Sequence, residues 1–331
     1  QGAGPIAFTG FTSTASDGST LSVFPNSSKG GFQPKASLEY KFTKEYEARA
    51  SMGRAYRFPT VTELFQSIST PNSNSINNPN LQPQVSTAYD FTQSWRFVDA
   101  FNGAVGLLNP RVSLFYEDRW NAIVNQTTLS YQGQNTTQNL NVNKARFRGV
   151  EAELIMKDFL IDGLGYSGSV TFTDSRILNN NTVISGNQTI PLWQTTYPAS
   201  YGGGLVNGNQ YINIPPIRMK SVITYSPIKS LEMALAAVYQ SGAYATLGNI
   251  DNNHDVYMGT SQIIQFDYKM NYRFEKNWKA TFGIDNIGNY KSFVYHPNPQ
   301  RTFFAGVNYD FGGPEDSLQA GSQNQTGAFQ D

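Results

Sequence analysis

Few residues in this chain are equipped to make or break bonds. There is no cysteine and there are two histidines, His254 and His296. Without cysteine there are no disulfides, no thiol nucleophile and no thiolate metal ligand. A metal site would have to be built from the two histidines and carboxylates, yet both histidines fall in segments that read as loops, so neither a metal site nor a cofactor is expected. Glu151 and Glu153 stand two apart, on one face of an extended segment. Paired carboxylates can do acid–base work, but a strand face wetted by water accounts for these two better. No nucleophile elbow, phosphate-binding loop or dinucleotide fingerprint is present, so no catalytic residue is expected. Arg54 and Arg57 are different: they sit where an extended segment enters a long polar one, and a guanidinium there suits an anion. The chemistry on offer is recognition rather than reaction.

The elements that would position these residues are strands. Residues 264–274 alternate Ile, Phe, Tyr, Met, Tyr and Phe with Gln, Asp, Lys, Asn and Arg. A period of two puts one face of a strand in oil and the other in water. The run also has the roughly 9–11 residues of a membrane-spanning strand, against about 5–6 for an ordinary one. Similar segments occur near 32–42, 45–54, 84–97, 108–123, 144–157, 164–175, 217–227, 231–242, 262–274, 277–287 and 301–311. Val150, Ala152, Leu154 and Met156 oppose Glu151 and Glu153; Tyr89, Phe91 and Trp95 oppose Asp90, Thr92 and Ser94. Mean hydropathy is only −0.41, as expected when one face alone is apolar. No apolar run reaches the about 18 residues of a membrane helix. With 24 basic and 24 acidic residues, the balance gives no support to a nucleic-acid partner. The predicted class is all-β, a transmembrane antiparallel β-barrel. A soluble sandwich of eleven strands with its charged face outward stays open as the alternative.

Connections alternate in length. Short ones fall at 43–44, 98–107, 158–163, 227–230 and 275–276; long ones at 55–83, 124–143, 176–216, 243–260 and 288–300. Membrane barrels put short turns on one side and long loops on the other, and no soluble sandwich requires that. The long segments are rich in Asn, Gln, Ser, Thr and Gly, so they are predicted to be solvated rather than core-forming. Residues 1–31 read as a loop segment leading into the barrel at 32–311, and 312–331 as a disordered tail.

Several motifs carry a resemblance. Residues 53–66 (GRAYRFPTVTELFQ) are followed by Asn78-Pro79-Asn80-Leu81-Gln82-Pro83, then by Asn143-Lys144-Ala145 and Arg148-Gly149-Val150-Glu151. Asp285-Asn286-Ile287-Gly288-Asn289-Tyr290 comes next, and a last strand opens at Pro299-Gln300-Arg301 and ends at Tyr309-Asp310-Phe311. Taken in this order they resemble the C-terminal half of TonB-dependent outer-membrane receptors. The resemblance implies about 11 C-terminal strands of a 22-stranded barrel, with the plug domain and N-terminal barrel half outside this chain. It also implies the outer membrane of a Gram-negative bacterium, with outer-membrane lipid around the barrel. The implied function is import of a scarce bulky solute, most often a ferric siderophore, driven by a periplasmic TonB-type coupling protein. No histidine lies between Tyr56 and Asn78, which disfavours haem.

On this reading, ligand contacts come from loop aromatics, amides and a guanidinium: Tyr56, Arg57, Phe65, Gln66, Trp193, Tyr197, Tyr211, Tyr244, Tyr257, Tyr290 and Tyr295. Arg54, Arg57, Glu151 and Glu153 are the candidates for contact with a plug or the rim. Two other readings remain: a scaffold barrel within a larger outer-membrane assembly, and a small porin of about twelve strands.

Overall fold

A computed structural model describes residues 11–14, 20–23, 28–70, 73–129, 135–180, 206–249, 253–257 and 259–311. Eleven strands follow one another in an antiparallel meander: β1 Lys35–Lys41, β2 Tyr46–Arg57, β3 Gln84–Trp95, β4 Val105–Leu129, β5 Asn135–Phe159, β6 Leu164–Asn179, β7 Ile217–Ile228, β8 Leu231–Gln240, β9 Ile263–Glu275, β10 Trp278–Asp285 and β11 Thr302–Tyr309. Along this path each strand pairs with the one before it and the one after it, so β1 and β11 are the sheet edges among the described residues. Three short strands join from the side: Ile68–Thr70, Ser73–Ile76 and Phe97–Ala100.

Ladder register turns the sequence alternation into two continuous faces. Ala50, Phe91, Leu114, Val150, Phe172 and Ile217 are cross-strand partners in one row over β2–β7. Ile223, Leu235, Tyr268, Ile284 and Phe303 make another over β7–β11. One residue along, the row is Glu39, Arg49, Thr92, Ser113, Glu151, Thr171 and Arg218. The first two rows lie on one face and the third on the other, because neighbouring Cβ atoms point to opposite sides. The apolar face is exposed: Leu114 is 52 %, Phe266 46 % and Phe303 64 % accessible. An apolar patch running across the ten strands β2–β11 has no place in water; it needs hydrocarbon. On the polar face the groups satisfy each other: Thr92 and Ser113 hydroxyls lie 2.9 Å apart, and Arg111 donates to Glu153 at 2.7 Å.

Aromatic rings close the apolar face at the short-turn end. Phe42 stacks on Tyr46 at 4.8 Å and Tyr46 on Trp95 at 5.2 Å; at the other edge Trp278 meets Tyr309 at 4.8 Å. Such rings favour an interface, with an apolar body and a polar tip. The short turns have local causes. The Thr43 hydroxyl accepts from the Glu45 and Tyr46 N–H groups, and Gly163 takes φ +77 with its N–H on the Asp158 carboxylate. Within β5, a Cβ on Gly149 would collide with the Phe172 carbonyl and the Phe115 ring, so glycine lets these strands close up.

The structure departs from the sequence reading at several places. Most of the predicted loop 124–143 is strand: β4 runs to Leu129 and β5 begins at Asn135, paired from Asn135↔Leu129 onward. The Thr, Asn and Gln residues there lack a dyad, and it is the ladder hydrogen bonds that hold them extended. The predicted short connection 98–107 contains part of the strand Phe97–Ala100. Within 1–31, Phe11–Thr14 and Thr20–Val23 form an antiparallel pair. Residues 312–331 lie outside the described residues. The long segments are also not merely solvated. The buried cluster of Ala122, Val124, Val142, Ala145, Phe147, Ile177, Val206, Tyr211 and Leu247 is built where loops fold onto the long-loop ends of β4–β6.

Candidate ligand-binding site

The long-loop end of β2 sets the first part of the site. Arg57 is the last residue of β2, and beyond Pro59 the chain forms a one-turn helix α1, Val61–Phe65. Thr60 caps it: its hydroxyl accepts from the Glu63 N–H, and the Glu63 carboxylate accepts from the Thr60 N–H at 2.8 Å. That capping box leaves Glu63 facing back toward the strand, where Arg57 donates to it at 2.5 Å. Partial burial raises the Glu63 carboxyl, but the Thr60 N–H and the Arg57 guanidinium outweigh it and hold the group below the usual range. Phe65 is half-buried and Gln66 exposed at the end of this turn.

Arg57 shares the polar face with Gly53 and Ala55, whereas Arg54 and Tyr56 share the apolar face with Met52. Arg54 lies over the Tyr56 ring at 5.3 Å, and Tyr56 stacks beside Phe58 at 6.1 Å. The two arginines therefore address different surroundings. Arg57, Glu151 and Glu153 share the polar face, and Arg54 lies on the other.

Behind Arg57 the polar face carries a compact cluster. Ser86 donates to Glu117 at 2.7 Å, and Arg119 donates to Glu117 at 3.0 Å. The Arg119 guanidinium covers the Phe147 ring at 4.4 Å, and Phe147 meets Tyr211 edge-on at 5.0 Å. Tyr211 comes from the loop between β6 and β7 and is buried. Burial pushes its hydroxyl up, against the opposing effect of Arg119; Arg57 lies near enough to act on it too. The fold thus brings Arg57 and Tyr211, 154 positions apart in the chain, into one electrostatic neighbourhood.

The remaining candidates lie around the loops after β8 and β10. Asn213 joins them: its N–H donates to the Tyr244 carbonyl at 2.8 Å, and its amide donates to the Tyr295 hydroxyl. Burial raises the Tyr295 hydroxyl, with the Asn213 contact opposing. Tyr244 packs edge-on against His254 at 5.3 Å, and Tyr257 against His296 at 5.4 Å. Asn286 closes the loop after β10, exchanging hydrogen bonds of 2.8 Å with both backbone groups of Tyr290. Its backbone N–H reaches Asp267 at 2.7 Å. Trp193 and Tyr197 lie outside the described residues.

Glu63, Glu117, Arg119, Phe147 and Asn213 complete this region and were not among the sequence candidates. The capping-box spacing of Thr60 and Glu63 marks one of them in the sequence. The others are recognisable only from contacts between distant strands. A cleft of about 520 Å³ lined by Lys44, Arg96, Phe97 and Phe101 lies at the opposite, short-turn end, away from these groups.

Among the described residues no group of three or more His, Asp or Glu is arranged to hold a metal ion. The site can present an aromatic and amide surface to a solute, above two arginine–glutamate pairs, Arg57–Glu63 and Arg119–Glu117, and held in place by loop hydrogen bonds.

A profile described as "TonB dependent receptor-like, beta-barrel" matches residues 7–287. No curated protein matches the chain. Solved structures do. The siderophore receptor PirA from Pseudomonas aeruginosa matches with TM-score 0.55 and 14 % identity, over 84 % of this chain and 41 % of its own. The siderophore receptor PiuA from Acinetobacter baumannii matches with TM-score 0.59 and 18 % identity, over 83 % and 35 %. The copper transporter OprC matches with TM-score 0.57 and 18 % identity, over 84 % and 39 %. This chain therefore spans about two fifths of the length of the receptors it resembles.

Proposed function

We propose, from the premise that this chain belongs to the TonB-dependent receptor-like β-barrel family, that it is the C-terminal half of the barrel of an outer-membrane importer. The remaining strands and the plug would belong to the rest of the receptor, and a periplasmic coupling protein would supply the energy. The solute we favour is a ferric siderophore, since receptors for such complexes recur among the structural relatives. Such complexes are bulky and commonly anionic. The observation that carries this reading is the cluster of Arg57, Arg119 and Tyr211 on the polar face, beneath loops tied together by Asn213 and Asn286.

In this mechanism no covalent bond changes. The solute meets the exposed Tyr257 and the half-buried Tyr244 and Tyr290, and below them Arg57, paired with Glu63, offers the remaining donors of its guanidinium. Release inward follows displacement of the plug. The experiment is uptake of radiolabelled iron, supplied as a catecholate siderophore complex, by cells carrying the intact receptor. Arg57→Ala with Tyr244→Ala should cut uptake about ten-fold with expression unchanged. Unchanged uptake and unchanged solute binding would overturn the assignment of these residues.

A further inference from the structure

The short-turn end of the sheet is not level. β1 and β2 turn back at residues 42–45, and the pairing of β2 with β3 stops at Tyr46↔Trp95. The hairpin of β3 and β4 runs on. Its strand Phe97–Ala100 pairs with β4 through Phe97↔Leu108, Val98↔Leu107 and Ala100↔Val105, and with no other strand among the described residues. One bond shows which groups face the open side. The Arg96 N–H donates to the Glu45 carbonyl at 2.8 Å, so the Arg96 backbone faces β2. Backbone direction alternates along an antiparallel ladder, so Phe97 faces β4 and Val98 faces the side that β2 leaves open. The Glu45 N–H, which would complete the pair with the Arg96 carbonyl, goes to the Thr43 hydroxyl at 3.1 Å instead. The Arg96 carbonyl and both backbone groups of Val98 thus form a short edge without partners among the described residues. Asp99, at φ 51, bends the chain and ends that edge.

The cleft of about 520 Å³ opens beside this edge. Phe97, Phe101 and Leu108 form its apolar wall, with Lys44, Glu45 and Arg96 around it. Neither Lys44 nor Arg96 makes an ion pair among the described residues, whereas Arg57, Arg119 and Arg146 are all paired. Two cations against one carboxylate suit an acidic occupant. Phe101 holds a large ring at φ 54, a conformation that suits glycine or asparagine better, and it is 75 % exposed. Val98 is 64 % exposed. The edge lies beyond the stacked Tyr46 and Trp95 rings that close the apolar face. Unpaired backbone groups have no place in hydrocarbon, so this edge suits a peptide and not a lipid tail.

We propose that the edge at Arg96 and Val98, with the cleft beside it, receives an extended acidic peptide segment of a second protein, added as one more strand. The peptide backbone pairs with the Val98 N–H and with the carbonyls of Arg96 and Val98, which gives affinity without regard to sequence. Side chains give the selectivity. Arg96 and Phe97 are neighbours in a strand and present opposite faces, so acidic and apolar residues alternate along the matching peptide. Its carboxylates meet Lys44 and Arg96, and its apolar side chains rest on Phe97 and Leu108. In the orientation proposed above this end lies in the periplasm, and the partner is then a periplasmic protein. That location alone rests on the proposed function; the pairing does not depend on the transported solute.

The test uses the intact receptor in lipid nanodiscs and the peptide fluorescein-Val-Asp-Val-Asp-Val-amide, followed by anisotropy and by amide exchange at Val98. The peptide should slow exchange of the Val98 N–H. The same peptide N-methylated at every residue has no backbone donors and should bind about ten-fold more weakly. Val98→Pro removes the donor that faces the open side and spares the ladder with β4, so the barrel should keep its heat-modifiable migration and lose binding about ten-fold. Lys44→Gln/Arg96→Gln should lose the preference for this peptide over its Val-Asn-Val-Asn-Val counterpart. Unchanged affinity in Val98→Pro overturns the proposal, and so does a Val98 amide that stays fast at millimolar peptide. A Val98 amide already slow before peptide is added overturns it too, since lipid or the rest of the receptor then covers the edge. Should Val98→Pro fail to fold, the N-methylated peptide on the unaltered receptor decides: equal affinity for the two peptides rules out strand addition.

Discussion

Arg57 Nη2 and Glu63 Oε1 lie 2.5 Å apart, joining the last residue of β2 to the first turn of α1. The same carboxylate also caps the helix through the Thr60 N–H, so one side chain couples the strand end, the helix start and the candidate ligand arginine. Because the Glu63 carboxyl is held low in the folded loop, its stabilisation is fully present above the unfolded carboxylate value. It is lost as pH falls through the lower, folded value. Amide exchange over 60–66 should therefore stay protected from neutral pH to about pH 5 and lose protection in stronger acid. Glu63→Gln should open the loop about five-fold more often at neutral pH, the equivalent of about 1 kcal/mol, and flatten the acid response.

Tyr211 anchors its loop to the sheet by a ring contact with Phe147 under the Arg119 guanidinium. Tyr211→Ala should cost about 3 kcal/mol, because a large buried ring is lost and its surroundings cannot fully collapse. Tyr211→Phe keeps the ring and should cost less than about 1 kcal/mol. Denaturant midpoints of the intact receptor in micelles, together with proteolysis of the 180–216 segment, separate the two.

Gly149 is hemmed in by the Phe172 carbonyl and the Phe115 ring. Backbone cannot yield as a flexible side chain can, so Gly149→Ala should destabilise by about 2 kcal/mol and Gly149→Val by more. The expected readout is loss of heat-modifiable gel migration for the valine variant and a reduced folded fraction for alanine. A fully folded valine variant would show that β5 and β6 are further apart than described.

Phe266 and Lys269 lie on the same strand and opposite faces. Phe266→Arg puts a charge among lipid tails and should cost about 2–4 kcal/mol near mid-membrane. Lys269→Gln, on the polar face, should stay within about 0.5 kcal/mol. Unfolding in lipid vesicles measures both, and equal costs would contradict the two-faced sheet.

Much of this architecture is written in alternation. The run 264–274 names its own faces, and the register through β8–β11 keeps them. The pattern fails where polar residues form strand without a dyad, as at 124–129 and 135–143, because Asn and Thr suit a loop as readily as a ladder. It fails again for the buried loop cluster. Asn78 reaching the Asn139 carbonyl and Asn141 reaching Gln82 are contacts between segments about sixty positions apart, which no local window contains. At the candidate site, the arginine at 57 and the loop tyrosines were legible as chemistry. That Arg54 stands on the other side of the sheet from Arg57 follows from simple parity along β2, since three residues separate them.

β4 and β5 are each 25 residues long, more than twice what a bilayer crossing takes. Beyond Asp118, β4 continues for eleven residues to Leu129, about 36 Å at the rise of an extended chain. This paired arm extends the sheet well past the rows that carry the apolar face, with loop residues packed on its base and the strand Ser73–Ile76 paired to its tip. Anything approaching from the long-loop side meets this arm together with the Ser73–Ile76 strand, not the flat rim that the lengths of β8–β11 alone would suggest.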